Sequence, residues 1–375
     1  ASSYIPYEAD PGRSLKVLDK VLFRKAIRQD DSSITVRDVQ EALCETVRLP
    51  LEMLVTPQTR LLGMEKFLNH RVLGQEEAIN SLCERLMVTM SGASVAPDRP
   101  HGVFLFVGPT GVGKTELARA LCEYLTGDVK NIVRLDMSEY SDPGSVRTLM
   151  GEPGKGHPTD DPVGMPYLTR ALSDMPYTVL LLDEIEKAHP LIRLLFLHGL
   201  DAGRMHDNHG NTIYLSKATV IMTSNVGYAS RKAVVAHPGR RREDMIKQER
   251  NALMKALRDV FPPEFLGRMD GILFFKQLTP DIMKGFIRQK TEQLEHSLQK
   301  KINLSAAATD LLYEEGFSVE FGARELNRTV DRILGYPLAL AMASGGWESA
   351  ESVFVDCHPG KREIKVDLRR KRLRA

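Results

Sequence analysis

The run Val103-Phe104-Leu105-Phe106-Val107-Gly108-Pro109-Thr110-Gly111-Val112-Gly113-Lys114-Thr115 is the most informative stretch of this chain. Five apolar residues without a break suit a strand buried on both faces. The pattern GxxxxGK[ST] follows at once, and after it Glu116-Leu117-Ala118-Arg119-Ala120-Leu121 continues in helical period. Strand, glycine loop and helix in that order are the context a phosphate-binding loop requires. Glycines let backbone N–H groups turn inward around phosphate oxygens, and the helix start adds positive dipole. Lys114 would reach the outer phosphates and the Thr115 hydroxyl would hold Mg²⁺. The competing reading is a chance glycine turn.

Working outward, NIVRLD (131–136), TVLLLD (178–183), TVIMTSN (219–225) and ILFF (272–275) repeat the short apolar run. Longer helical stretches separate the first four runs. Apolar runs alternating with helices predict an α/β fold with a mostly parallel sheet covered on both faces. Polar residues close these runs: the loop after Val107, then Asp183, then Asn225. In open α/β sheets ligands bind at that edge. Val179-Leu180-Leu181-Leu182-Asp183-Glu184 reads as a strand ending in two acids. Asp183 would hold Mg²⁺, usually through water, and Glu184 would orient the attacking water. Alone, such a pair is also an ordinary helix cap.

The rest of the chain is mainly helical. Arg13 to Gln29 and Val36 to Val47 show helical patterns, the second opened by Thr35 as N-cap with Asp38 three residues on. Thr279-Pro280-Asp281 opens a helix to about Lys301, and helix signals recur at 305–315 and 324–343. The end, SVFVDCHPGKREIKVDL, predicts a hairpin. Three segments result: 1–64, a 65–276 αβ domain and a 277–375 small helical domain. The 375 residues fit two or three domains at roughly 100–200 residues each.

Composition excludes several classes. Hydrophobic residues make up 42% and charged residues 27%, enough apolar surface to offset chain entropy. No run of apolar residues is long enough to span a membrane. A net charge of +2 does not suit a bulk nucleic-acid or membrane binder. Cys44, Cys83, Cys122 and Cys357 lie far apart, against a disulfide framework or zinc site and in keeping with a reducing, cytoplasmic compartment. The first residues lack the pattern of a signal peptide and read as a cut into a longer chain.

With their neighbours these residues resemble the Clp family of AAA+ unfoldases, specifically the second ATPase ring of two-ring members. The matching segments are Arg71-Val72-Leu73-Gly74-Gln75, GVFLFVGPTGVGKTELARAL, LDMSEY (135–140), YTVLLLDEIEKAHP (177–190), IMTSN (221–225), FPPEFLGRMD (261–270) and FGARELNR (321–328). The first 64 residues are similar to the tail of the preceding ring, its lid fragment and linker. The resemblance implies an AAA+ P-loop core with a helical lid, binding ATP and Mg²⁺ and hydrolysing ATP in a homo-hexamer that works on protein. It implies nucleotide contacts from Gly108, Pro109, Thr110, Gly111, Val112, Gly113, Lys114, Thr115, Glu116 and Asp183. Val72 and Leu73 would flank adenine, or simply form a core pair. Asn225 would be sensor 1, Arg324 sensor 2, and Arg268 the arginine finger given to the adjacent subunit. A turn residue and a surface charge are the plain alternatives for Asn225 and Arg268.

Two departures from the family follow. Where relatives carry a Gly-Tyr-Val-Gly substrate grip, this chain has Gly151 to Thr169, longer and without it. Lys155 and His157 fall near the missing aromatic, and Tyr167 reads as a packing residue at a helix start. A loop without a large aromatic has less apolar area to hold an unfolded chain, which points to a dedicated remodeller of one complex, reached through an adaptor. The stretch 227–250 lacks the docking tripeptide of degradative relatives, so no ClpP-like protease partner is expected. A nucleotide-controlled scaffolding ring is the alternative. The Arg240–Arg242 cluster and the basic end LRRKRLRA read as solvated segments, with a binding patch and a nucleic-acid tail as the alternatives. His189 is expected in a structural turn, and Trp347 in packing.

Overall fold

The computed structural model describes residues 5, 7, 10–93, 96, 98–152, 165–228, 242–317, 322–358 and 362–370, with the backbone alone at 242–246 and 370. By contact the chain forms two compact units. One comprises Ala1–Gly108 with Lys114–Phe275, the other Pro109–Gly113 with Lys276–Ala375.

In the first unit β1 (Gly102–Val107), β2 (Val133–Asp136), β3 (Val179–Asp183), β6 (Thr219–Ser224) and β7 (Gly271–Phe274) form one sheet. Its order is β2-β3-β6-β1-β7, and every pairing is parallel. Between β3 and β6 a small antiparallel hairpin joins β4 (Arg204–His206) to β5 (Thr212–Tyr214). Val103, Leu105 and Val107 point into the main core with Leu180, Leu182, Val220 and Met222, under Ile192, Phe196 and Leu200 of the helix Pro190–Ala202. Phe104 and Phe106 alternate to the opposite face, where the Phe106 ring lies 5.1 Å from that of Phe275. Helix Lys114–Thr126 packs on β3 and β6. All six residues of β1 are buried, which is why the segment reads as a continuous apolar run rather than an alternating one.

Helices Gly12–Arg28 and Val36–Val47 close a small core of their own around Val17, Val21, Ala42, Leu43 and Val47, with Tyr177 packed against it. Thr35 and Asp38 form the expected capping box: each side chain accepts the backbone N–H of the other residue.

In the second unit helices Pro280–Leu298, Ala306–Gly316 and Ala323–Val330 surround Met283, Ile287, Leu312, Leu326 and Trp347. The C-terminal hairpin, β9 (Ala350–Cys357) with β10 (Ile364–Arg370), is joined by a third strand, β8 (Lys301–Leu304), parallel to β9. The pattern at 324–343 suggests one helix. Instead a π turn, Asp331–Gly335, divides Ala323–Val330 from Tyr336–Ala343. Pro337 explains the break. It has no N–H to give, and its ring pushes away the carbonyl one turn back, so the helix widens there.

Candidate functional site

Because β3, β6 and β1 are neighbours, the residues just beyond their C-terminal ends share one edge of the sheet. Gly108 follows β1, Glu184 follows β3 and Asn225 follows β6. The Gly108 N–H donates to the Ser224 carbonyl at 3.2 Å, tying the loop to the end of β6. A Cβ on Gly108 would stand 2.7 Å from Phe275 Cβ, so only glycine lets the loop leave β1 here. Gly111 and Gly113 have φ of 78° and 102°, values that favour glycine. The helix then begins at Lys114, whose side chain is buried. The Lys114 ammonium donates to Asn225 Oδ1 at 2.7 Å and to the Gly108 carbonyl. Thr115 is half-buried on the first turn. Glu116 is exposed beside it, where an acid complements the helix dipole.

The two acids of β3 are set by different partners. Asp183 is buried. Its Oδ2 accepts from Arg134 Nη2 at 2.7 Å, and its Oδ1 accepts from the Thr223 hydroxyl. Thr223 Oγ1 in turn accepts the Glu184 N–H at 3.0 Å. Glu184 sits in the left-handed region, φ 57°, at a cost of roughly 1–2 kcal/mol for a non-glycine residue. That turn swings its carboxylate off the strand axis and onto Lys187, with Oε2 2.5 Å from Nζ. The bond to Glu184 is the main reason that the Lys187 ammonium holds its proton more tightly than an ordinary lysine.

The structure therefore gathers Gly108, Lys114, Asp183, Glu184 and Asn225 into one connected group. Arg268 lies elsewhere and is exposed. Its Nε is 2.8 Å from Asp201 Oδ2, and its carbonyl accepts from Arg99 Nη2 at 3.0 Å. Val72 is buried and Leu73 half-buried, directly after helix Met64–Arg71, which packs on helix Lys114–Thr126 through Arg71–Glu123 at 2.6 Å. In the second unit Arg324 is exposed in the first turn of its helix. Gly322 precedes it at φ 54°, and a Cβ there would stand 2.9 Å from the Gly111 carbonyl, which accepts the Ala323 N–H at 3.0 Å. Pro109, Thr110 and Val112 line a cleft with Leu278, Met283 and Phe317.

These parts suit a nucleotide. The glycine turn at the start of a 13-residue helix is a cradle for phosphate oxygens. The Thr115 hydroxyl and Asp183 carboxylate are hard oxygen donors. Two such ligands plus phosphates are what Mg²⁺ ordinarily takes.

Family models agree with the geometry. Residues 99–272 match the AAA domain (Cdc48 subfamily), and residues 278–355 match the C-terminal, D2-small domain of ClpB protein. The chaperone protein ClpB of Gloeobacter violaceus is 37% identical over 337 residues, covering 89% of this chain. This chain belongs to the Clp family of AAA+ proteins. Within the family it matches the second ATPase module, whose small domain is the part the second model describes. The ClpC ATP-binding subunit of an ATP-dependent Clp protease from Staphylococcus epidermidis is 36% identical, over 90% of this Clp module and 41% of that protein. A closed-state reconstruction of Hsp104 with ATPyS and FITC casein superposes with a TM-score of 0.74 at 29% identity, covering 97% of the module and 62% of that chain. The module spans 37% of the length of the Gloeobacter protein.

Of the family's departures, the stretch 153–164, with Lys155 and His157, lies outside the described residues, as do 229–241 with Arg240 and most of the docking-loop stretch, and the basic end 371–375. Tyr167 does begin a helix, Tyr167–Asp174, but the residue is 46% exposed while Leu168 beside it is buried. Its packing role passes to Leu168. His189 caps the helix Pro190–Ala202, its Nδ1 accepting the Leu191 N–H, as the structural-turn reading expects. Trp347 is buried in the core of the second unit.

Sequence reasoning missed Arg134, Thr223, Glu186 and Lys187. All four stand inside quoted segments, but nothing in a strand run marks one threonine as the link between two acids. Arg134 alternates with buried Val133 and Leu135, and that alternation was its only signal.

Proposed function

We propose that this module hydrolyses ATP with Mg²⁺ in a homo-hexameric ring and uses the cycle to pull apart or remodel a protein substrate. The observation that carries this reading is the bond between Lys114 and Asn225, with Asp183 and Glu184 at the end of the adjoining strand. A lysine and an amide already paired at the mouth of a glycine turn are placed for an outer phosphate. Residues 108–113 would wrap the phosphates, with Lys114, Thr115 and Glu116 at the helix start. Val72 and Leu73 would flank the base. Thr115 and Asp183 would hold Mg²⁺, which when bound would draw charge off the phosphate oxygens. Glu184 would take up a water proton once released from Lys187. Asn225 would sense the outer phosphate, Arg324 would approach from the small domain, and Arg268 would serve the neighbouring subunit. Such a finger is typically worth ~10³–10⁵ in rate.

Residues 1–64 fit the end of a preceding module and a linker, 65–276 the large domain and 277–375 the lid. The missing aromatic grip in the sequence favours a dedicated remodeller, reached through an adaptor; the missing docking tripeptide speaks against a ClpP-like protease, the near-neutral charge against nucleic acid or a membrane as partner, and the scattered cysteines suit the cytoplasm. Among the described residues no helix is long and apolar enough to cross a membrane.

The test is phosphate release by the purified chain with ATP and Mg²⁺. Turnover should rise more than linearly with chain concentration. Lys114→Ala should abolish binding of ATP, whereas Glu184→Gln should bind ATP and fail to turn it over. Turnover equal in wild type and Glu184→Gln would reject hydrolysis and leave a nucleotide-controlled scaffold.

A further inference from the structure

Glu186 lies inside the segment 177–190 without a role toward the nucleotide, yet it accepts the backbone N–H of a residue that has one. Ile185–Lys187 is a single 3₁₀ turn. With three residues per turn, Glu184 and Lys187 fall on the same side. They pair, at 2.5 Å. Ile185 is sunk in the main core. Glu186 is left facing the end of β6, and its Oε1 accepts the Asn225 N–H at 3.0 Å. The Asn225 side chain then accepts from Lys114, which also bonds the Gly108 carbonyl. One chain of bonds thus runs from the end of β3 through the end of β6 to the loop after β1.

The second carboxylate oxygen, Oε2, is buried with no hydrogen-bond partner among the described residues. A charged side chain with a stranded oxygen is a poor choice if the position only packs β3 against β6, because an apolar residue of similar size would avoid that cost. What the carboxylate supplies and an apolar residue cannot is a strong, directional acceptor for one N–H.

We propose that Glu186 is a positioning residue for Asn225, fixing its backbone so that its amide stands at the outer-phosphate end of Lys114. The proposal rests on the reading of Asn225 as the sensor of that phosphate. Glu186 itself touches no phosphate. It sets how well the site tells a nucleoside triphosphate from a diphosphate.

The experiment measures dissociation constants of the full chain for mant-ADP and mant-ATPγS, and uses their ratio. The ratio is read in binding, so it does not depend on turnover. Glu186→Ala should move it toward unity by ~10-fold or more, the loss expected for one charge-assisted hydrogen bond. The mant-ADP constant itself should stay within about threefold, since the cradle is untouched. Asn225→Ala should do the same, and the double variant should add little, because two residues acting as one unit are not additive. Glu186→Gln keeps an acceptor oxygen and should restore the wild-type ratio to within about threefold. Glu186→Asp is too short to reach Asn225 and should behave as alanine, which covers the case of an alanine variant that does not fold. An unchanged ratio in both Glu186→Ala and Glu186→Asp would overturn the proposal, as would a double variant whose losses multiply, or a glutamine variant that fails to restore. A wild-type chain that binds both probes equally would overturn the reading of Asn225 beneath it, and is seen before any variant is made.

Discussion

Replacing Asp270 by alanine should destabilise the large unit more than its place in a surface turn suggests. Asp270 immediately precedes β7. Its backbone N–H donates to the Val103 carbonyl at 2.7 Å. Its Oδ2 accepts the Val103 N–H at 2.9 Å, so the side chain extends the β1–β7 pairing by one residue. Its Oδ1 takes Arg85 Nη2 at 2.8 Å, with Arg99 Nη1 at 3.6 Å. The carboxylate is only 9% exposed, while Arg85 is 37% exposed and Arg99 29%. Alanine leaves the Val103 N–H buried and unsatisfied, at roughly 1–3 kcal/mol. The two part-exposed ion pairs add about 1 kcal/mol between them. The expected loss is therefore about 2–4 kcal/mol. Asparagine keeps an acceptor for Val103 and loses only the charge, so Asp270→Asn should cost about 1 kcal/mol. Urea unfolding followed by circular dichroism reads both as midpoint shifts at constant slope. An alanine variant within about 0.5 kcal/mol of wild type, or an asparagine variant as damaging as alanine, would refute the account of Asp270 as a side-chain extension of the sheet.

Three further outcomes follow from the same kind of reasoning. Burial presses the His101 imidazole down from 6.5 to about 4. Its folded value lies below its unfolded one, so its contribution is whole above about pH 6.5 and drains as pH falls toward 4; allowing for partial exposure, about 1 kcal/mol should be lost between pH 6.5 and 5, and His101→Gln should flatten that slope in pH-dependent unfolding. Gly322→Ala should cost about 2 kcal/mol, from its positive φ and from a Cβ 2.9 Å from the Gly111 carbonyl, and should weaken mant-nucleotide binding as the loop is pushed. Asp201→Ala should change the unfolding free energy by less than about 1 kcal/mol, because its pair with Arg268 is half in water.

The parallel sheet was legible because its inner strands β1, β3 and β6 are buried along their whole length and so read as largely apolar runs; Val103–Val107 and Val179–Leu182 could hardly read as anything else. The phosphate loop was legible because phosphate binding constrains backbone, and backbone constraint is written in glycines. The short strands β4 and β5 were not legible. Each is three residues long, too short for a period, and what fixes the hairpin is one side chain, Asp207, bonded to Thr169, Asn211 and the His209 N–H. Burial alone would raise the Asp207 carboxyl, and those bonds outweigh it and bring its pKa below the ordinary value. The links among site residues were equally silent. Arg134 to Asp183, Thr223 to Glu184 and Glu186 to Asn225 join positions about 40 or more residues apart, and only the strand order brings them together.

Lys114 and Arg268 show how one chain holds two cations in different ways. Lys114 is buried at a helix start and bonded to a carbonyl and an amide oxygen, both neutral. Those two bonds hold its ammonium beside the end of β6 and the start of the glycine turn. Arg268 is arranged the other way. Its backbone is held on one side by Arg99 at its carbonyl, and two residues on Asp270 is locked to β1 and Arg85. Its guanidinium, 47% exposed, rests on Asp201, a pair worth roughly 0–1 kcal/mol in that setting. A rigid base with a tip that is cheap to release is what a residue needs if its working partner lies on another chain. Replacing Asp201 or Asp270 should therefore act on that segment separately: the first frees the tip and leaves the fold, the second loosens the base beneath it.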